Sequence, residues 1–292
     1  MLSKLRQGHP FLFAIFVYIV FTVCMQLSAA GSYKAFQLLM AEPMADQLST
    51  VFAELFSAAI LCLVLRATGR LGLITKKGRG FVAGLAAGGY CLCFIMWLGF
   101  QAIASEVFEG TAINFTVTSV AYVLGMLCVG ITEEIEARVL IGQTFLEHYG
   151  TKRDAAIKAA IFSGVAFGLM HMTNALVDPL PNTIEQVCLC ISSGLLYGAI
   201  YFRSGNLWAI AVIHGLNDVA ASAGDWLFNG GVEVAVEATG FSAASLIYVG
   251  LMFVIEVSVA IYLLRPARIG EVAEAWPEIG ETPADEAAQQ TA

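Results

Sequence analysis

The sequence predicts an all-α fold, a polytopic transmembrane bundle of about eight helices, and three observations carry that prediction. The 292 residues are 58% hydrophobic and 13% charged, with a mean hydropathy of +0.76. A soluble domain is nearer half apolar and a quarter charged. The apolar residues gather into runs of about 20, enough to cross the hydrocarbon core of a bilayer. The basic residues gather at alternate ends of those runs, as the positive-inside rule expects.

In chain order the spans are expected at about 11–30, 48–66, 81–104, 115–137, 157–177, 184–202, 206–224 and 243–264, each long enough for a crossing. The first could be mistaken for a secretory leader. Its apolar run is about twice a usual leader core of roughly 7–15 residues, so it is expected to stay as a helix. The fourth continues as a helix to about residue 147. Gly-rich stretches such as GLAAGGY suit close helix packing. Short linkers join the spans, no internal repeat is found, and residues 1–268 read as one transmembrane domain with a motif core at 130–220.

Of the 15 Lys and Arg, Arg138 lies inside a span and Lys34 falls alone on one side, which leaves 13 on the other. That asymmetry expects both termini in the cytoplasm. Much of the net charge of −8 sits in the tail 269–292, rich in Ala, Glu and Pro, which reads as a disordered acidic extension. Nothing calls for a nucleic-acid partner. All seven cysteines lie in apolar runs and none forms a CxxC pair, so they read as small buried residues with no disulfides.

Residues 130–142, GITEEIEARVLIG, place three glutamates and an arginine inside an apolar segment. A carboxylate at bilayer centre costs about 2.5–3.5 kcal/mol on insertion scales, so these residues must pair or act. Glu134 and Arg138 are i,i+4 and can form an ion pair; Glu133 points ~100° away and has no local partner. The fifth span carries His171, with Phe167 one turn earlier as a wall. The seventh carries His214 and Asp218, again i,i+4, with Asn217 between them. At ~1.5 Å per residue His171 lies ~20 Å from Lys158, and His214 ~16 Å from Arg203. One acid and two imidazoles therefore reach a similar level, expected in the inner half of the membrane.

A carboxylate and two histidines at one depth suit hydrolysis by an activated water. Glu133 can take the proton, and the histidines can hold the water, a metal ion or a developing oxyanion. No GxSxG, Walker A or dinucleotide fingerprint is present, and no base stands at helical reach of Ser163, Ser192 or Ser193. Glu136 is expected to face an aqueous vestibule without a role. Glu54, Glu185 and Glu256 are expected to make interhelical hydrogen bonds or lie near an interface, and His9 and His148 to be solvated.

EEIEAR fits EExxxR, FGLMH fits FxxxH, and HGLND fits HxxxN/D. In that order on membrane helices they resemble the CPBP family of intramembrane proteases, the CAAX-protease, bacteriocin-processing and Abi-type proteins. The resemblance covers about 133–218. It implies Glu133 as the water-activating base with His171 as its partner on the water. His214 and Asp218 would act from the other side as oxyanion stabilisers or metal ligands, with Glu134 and Arg138 as a supporting pair. One divalent metal, zinc for preference, held by His171, His214 and Asp218, is one implied mechanism; a metal-free glutamate mechanism is the other. Asp218 departs from the prenyl-protein proteases, which carry an amide there. An ionised aspartate cannot donate to an oxyanion but can ligate a metal or orient His214, which tilts the reading toward a metal.

The expected activity is endopeptidase cleavage of a membrane-associated or lipid-modified peptide, of CaaX or bacteriocin type, in a multi-pass protein of a prokaryotic plasma membrane, with the site opening toward the cytoplasm. Two other readings stand beside it: a proton-coupled transporter, for which inverted repeats would be usual, and a catalytically idle scaffold or immunity protein of the same fold.

Overall fold

The computed structural model describes residues 1–233 and 241–279. Among these there is no strand. A short α1 (Leu2–Gly8) leads into α2 (Pro10–Gln37), started by a proline whose missing N–H costs nothing in the first turn. Next come α3 (Glu42–Ala67) and a 3₁₀ turn at Leu71–Thr75. The expected third span is two helices, α4 (Phe81–Ala87) and α5 (Gly89–Glu109), broken at Gly88. A Cβ at Gly88 would lie 2.3 Å from Ile213 Cδ1, so the break coincides with a tight crossing that hydropathy does not register.

The fourth span begins as α6 (Val117–Glu134), where Thr116 and Ser119 form a reciprocal capping box. It passes through a π-helical stretch, Ile135–Gly142, and ends as α7 (Gln143–Tyr149). Then follow α8 (Arg153–Met170), a 3₁₀ turn at His171–Leu176, α9 (Leu180–Ser204) and α10 (Leu207–Ala221). A π turn at Gly224–Phe228, α11 (Ala243–Leu263), a 3₁₀ turn at Pro266–Arg268 and α12 (Gly270–Ala275) complete the described chain.

Among the described residues, seven segments are long and apolar enough to cross a membrane. The expected seventh span, α10, has only 15 residues, ~22 Å at 1.5 Å each, and buries one face while Trp208, Val212 and Leu216 on the other stay exposed. Its Ile210 and Ile213 are fully buried. This is a polytopic membrane protein in which α10 is too short for a full crossing.

Arg6 and Arg70 both pair with Glu147, which brings the last turn of α1, the loop after α3 and the end of α7 to one end of the bundle. The end of α9 and the start of α10 lie at that end too, since Trp208 Nε1 donates to Ile74 O in the turn that follows Arg70. This is called the basic end below.

The expectation of a disordered tail from 269 onward is corrected for its first part. Residues 270–275 form α12, and Val272, Ala275 and Trp276 are buried. Trp276 Nε1 donates to Phe202 O at 2.8 Å, its ring packs on Tyr201, and Lys76 Nζ stands 4.5 Å over it. Glu271 pairs with Arg79, Arg203 and Arg268, Glu274 with Arg79, and Glu278 with Lys76. Composition alone hid this, because one tryptophan and three acids matched to basic residues outweigh a polar average. Residues 280–292 of the expected tail lie outside the described residues.

Candidate active site

The site is built where α6 crosses α10. A Cβ at Gly130 would lie 2.4 Å from Gly215 N and 2.7 Å from its Cα, so only glycine admits this approach. The backbones touch one turn before Glu133 and Glu134 and beside His214. A second tight contact joins α8 to α9, where a Cβ at Gly164 would lie 2.6 Å from Leu195 N. It brings Phe167 and Tyr197 against the His214 ring, at centroid distances of 5.5 and 5.3 Å.

Glu134 is fully buried and receives Arg138 Nε at 2.9 Å and Nη2 at 3.3 Å. Arg138 also donates to Ser163 Oγ at 3.1 Å, and its guanidinium lies 4.7 Å over the Phe167 ring. A carboxylate held by a guanidinium can only accept hydrogen bonds. His214 Nδ1 therefore carries the hydrogen it gives to Glu134 Oε1 at 2.9 Å. That fixes the ring and leaves Nε2 aimed between Glu133 Oε2, at 3.7 Å, and Asp218 Oδ2, at 3.6 Å. The expected pairs Glu134–Arg138 and His214–Asp218 are both present on one face, and Glu133 finds its partner across the bundle.

His171 closes α8, and its Nδ1 donates to Phe167 O at 3.0 Å, with the two rings edge to face at 5.0 Å. Its Nε2 is the atom left to accept from a water or substrate. Glu133, His171, His214, Asn217 and Asp218 all line one cavity of about 570 Å³. The cavity reaches the exposed Gln26 and Ala221, and Asn174 and Asp225 beyond the ends of α8 and α10. Those helix ends are remote from the basic end. The expected opening toward the basic end is thus corrected: α8 turns into 3₁₀ at His171, and the loops that follow α8 and α10 leave the space at the opposite end. Counting residues from one surface misled because α7 extends the chain before α8 begins and α10 is short.

The metal expectation can be tested on the donors. Among the described residues no group of three or more His, Cys, Asp or Glu side chains is spaced to hold a metal ion. His171, His214 and Asp218 as placed do not form a ligand set, and no chemical step is derived through a metal.

Two further expectations change. Glu136 is fully buried and neither of its oxygens has a hydrogen-bond partner, so it does not face a vestibule; the π-helical stretch turns it inward. Glu54, expected to be structural, lines the cavity with Glu133, and its Oε2 has no hydrogen-bond partner. A lone acid in the apolar run after Phe52 was its only signal. Glu256 and Glu185 do make interhelical hydrogen bonds, with Ser192 and Ser245. His9 and His148 are exposed. Asn217, one position from the motif aspartate, also reaches the cavity.

The fold and this arrangement define a class: a multi-pass membrane protein with a carboxylate–imidazole site enclosed among its helices. Residues 115–220 match the family model for type II CAAX prenyl endopeptidases, Rce1-like, in agreement with the resemblance that the three motifs carry. The matched segment contains Glu133, Glu134, Arg138, His171, His214 and Asp218, and excludes Glu54. Comparison with curated proteins gives no match, and neither does comparison with solved structures.

Proposed function

We propose that this protein is an intramembrane endopeptidase that cleaves a membrane-associated or lipid-modified peptide with a water activated by Glu133. The observation that carries the reading is the meeting of Glu133, His171, His214 and Asp218 around one cavity inside a membrane bundle. The family match over the same segment supports it.

In this reading a cavity water lies between Glu133 and His171. Glu133 takes one proton as the water oxygen attacks the scissile carbonyl carbon. The carbonyl oxygen gains the charge and needs a donor. The Asn217 amide can give one, as can His214 Nε2 once it receives the proton from Glu133. The proton then passes to the leaving amine nitrogen as the C–N bond breaks, and the products are a carboxylate and an amine. Glu134 holds His214 in the tautomer that leaves Nε2 free, as an orienting carboxylate does for other functional histidines. The substrate is proposed to reach the cavity from the end remote from the basic residues. A prokaryotic plasma membrane is the proposed location.

The test is cleavage of a quenched peptide library, with lipidated and plain members, by wild type, Glu133→Ala and His171→Ala in detergent or nanodiscs. The expected result is turnover by wild type and a loss of about 10²–10⁴-fold in each variant. Turnover that survives both substitutions would remove the site assignment. Full biological activity of Glu133→Ala would favour an idle scaffold, and substrate flux without cleavage a transporter.

A further inference from the structure

At the basic end, far from the catalytic cavity, a second concavity of about 400 Å³ lies between α4, the end of α9 and the end of α11. Its polar rim is made by Arg79, Arg203, Arg265 and Arg268, with Glu271 among them. Its wall is apolar: Ala83, Ala86 and Ala87 from α4, and Leu263 and Tyr262 from α11. The loop that carries Arg79 is fixed there by the backbone, since Arg79 N donates to Ser204 O at 2.7 Å.

The charges do not balance. Glu271 is shared by Arg79, Arg203 and Arg268, and Glu274 adds one contact to Arg79. Arg265 has no carboxylate partner among the described residues; it donates to Tyr262 O at 2.8 Å and its guanidinium lies 3.8 Å over the Tyr262 ring. Among the described residues, four guanidiniums therefore face two carboxylates. α9 ends at Ser204 and α11 at Leu263, so the rim sits where the apolar spans stop. A bilayer puts its phosphates at that level. Guanidiniums match phosphate oxygens in a planar fork, and basic pockets between transmembrane helices at this depth suit anionic headgroups.

We propose that this concavity binds the headgroup of an anionic phospholipid. The phosphate is held by Arg265 and Arg268, and the glycerol and upper acyl chain lie against the alanines of α4 and Tyr262. The excess charge calls for an anion, and the apolar wall beside it selects a lipid over a free phosphate. The proposal is independent of the peptidase reading.

The test is native mass spectrometry of the delipidated full chain, titrated with phosphatidylglycerol, phosphatidylcholine or glycerol 3-phosphate. Wild type is expected to retain one phosphatidylglycerol in preference to phosphatidylcholine, with glycerol 3-phosphate failing to compete. Arg265→Ala/Arg268→Ala is expected to weaken that binding roughly 30-fold, the equivalent of two surface arginines. Ala86→Trp, which fills the wall without changing charge, is expected to weaken it as well, which separates loss of the site from loss of one ion pair. Equal retention of the two lipids, or retention unchanged in both variants, would overturn the proposal. Competition by glycerol 3-phosphate would overturn the lipid in favour of a free phosphate ester.

Discussion

His214 and Glu134, 80 positions apart in sequence, are joined by a 2.9 Å hydrogen bond from Nδ1 to a carboxylate that Arg138 holds from the other side. The bond sets which nitrogen of His214 faces the cavity. Glu134→Ala is expected to lower turnover about 10–100-fold, the usual effect of removing an orienting partner. It also leaves Arg138 buried without its counter-ion, at a cost of about 3–5 kcal/mol. Glu134→Gln keeps an acceptor for Nδ1 and should retain more activity than Glu134→Ala at similar stability. Turnover and thermal unfolding measured on both variants decide this. Equal activity of the two would argue against an orienting role.

Asp218 stands 3.6 Å from His214 Nε2, and among the described residues no group of three or more His, Cys, Asp or Glu side chains is spaced to hold a metal ion. Asp218→Asn preserves shape and supplies an N–H donor, so the variant is expected to keep turnover within about tenfold of wild type. Prolonged dialysis against a strong chelator should likewise leave turnover unchanged. Activity lost on chelation and restored by zinc would show that the site works with a metal.

The α6–α10 crossing depends on Gly130. Gly130→Ala places a methyl against the Gly215 backbone, which has no flexible end to move aside. It should cost at least about 1–3 kcal/mol by overpacking and separate Glu133 from His214. Gly250, with open space around it, is the control: Gly250→Ala should leave unfolding and turnover nearly unchanged. Thermal scans of the two variants side by side test the crossing.

The docking of α12 should depend on pH. Burial pushes the Glu271 carboxyl up, but hydrogen bonds from Arg203 and Arg268 and the charges of Arg203 and Arg79 outweigh it and hold the group below its ordinary 4.5. A carboxyl depressed in the folded state stabilises that state above its unfolded value and loses the contribution as pH falls through the lower folded value. The segment should therefore stay docked at neutral pH and loosen only below about pH 4.5. Limited proteolysis between Arg268 and Glu278 across pH reads this directly. Glu271→Gln should be cut more readily at pH 7 and lose the dependence. Removing residues 280–292 alone should change neither stability nor turnover, whereas a cut before Gly270 also removes buried Trp276 and should lower stability.

The sequence by itself determined the membrane class, nearly every helix, and the residues worth watching. Apolar runs of about 20 have few physical solutions, and charges inside them are too costly to be incidental. The i,i+4 pairs Glu134–Arg138 and His214–Asp218 were legible because a helix fixes its own faces. Only tertiary structure decided what meets across helices. The partnership of Glu134 with His214 depends on a glycine contact between α6 and α10, and a sequence shows the glycines without showing which of them touch. The entry of Glu54 into the cavity, the inward turn of Glu136 in a π-helical stretch, and the end at which the cavity opens follow from that same packing. The docking of α12 is of this kind too. Its composition is that of a solvated tail, and it is held by Trp276 and by Arg79 and Arg203 on two remote segments that no local pattern connects to it.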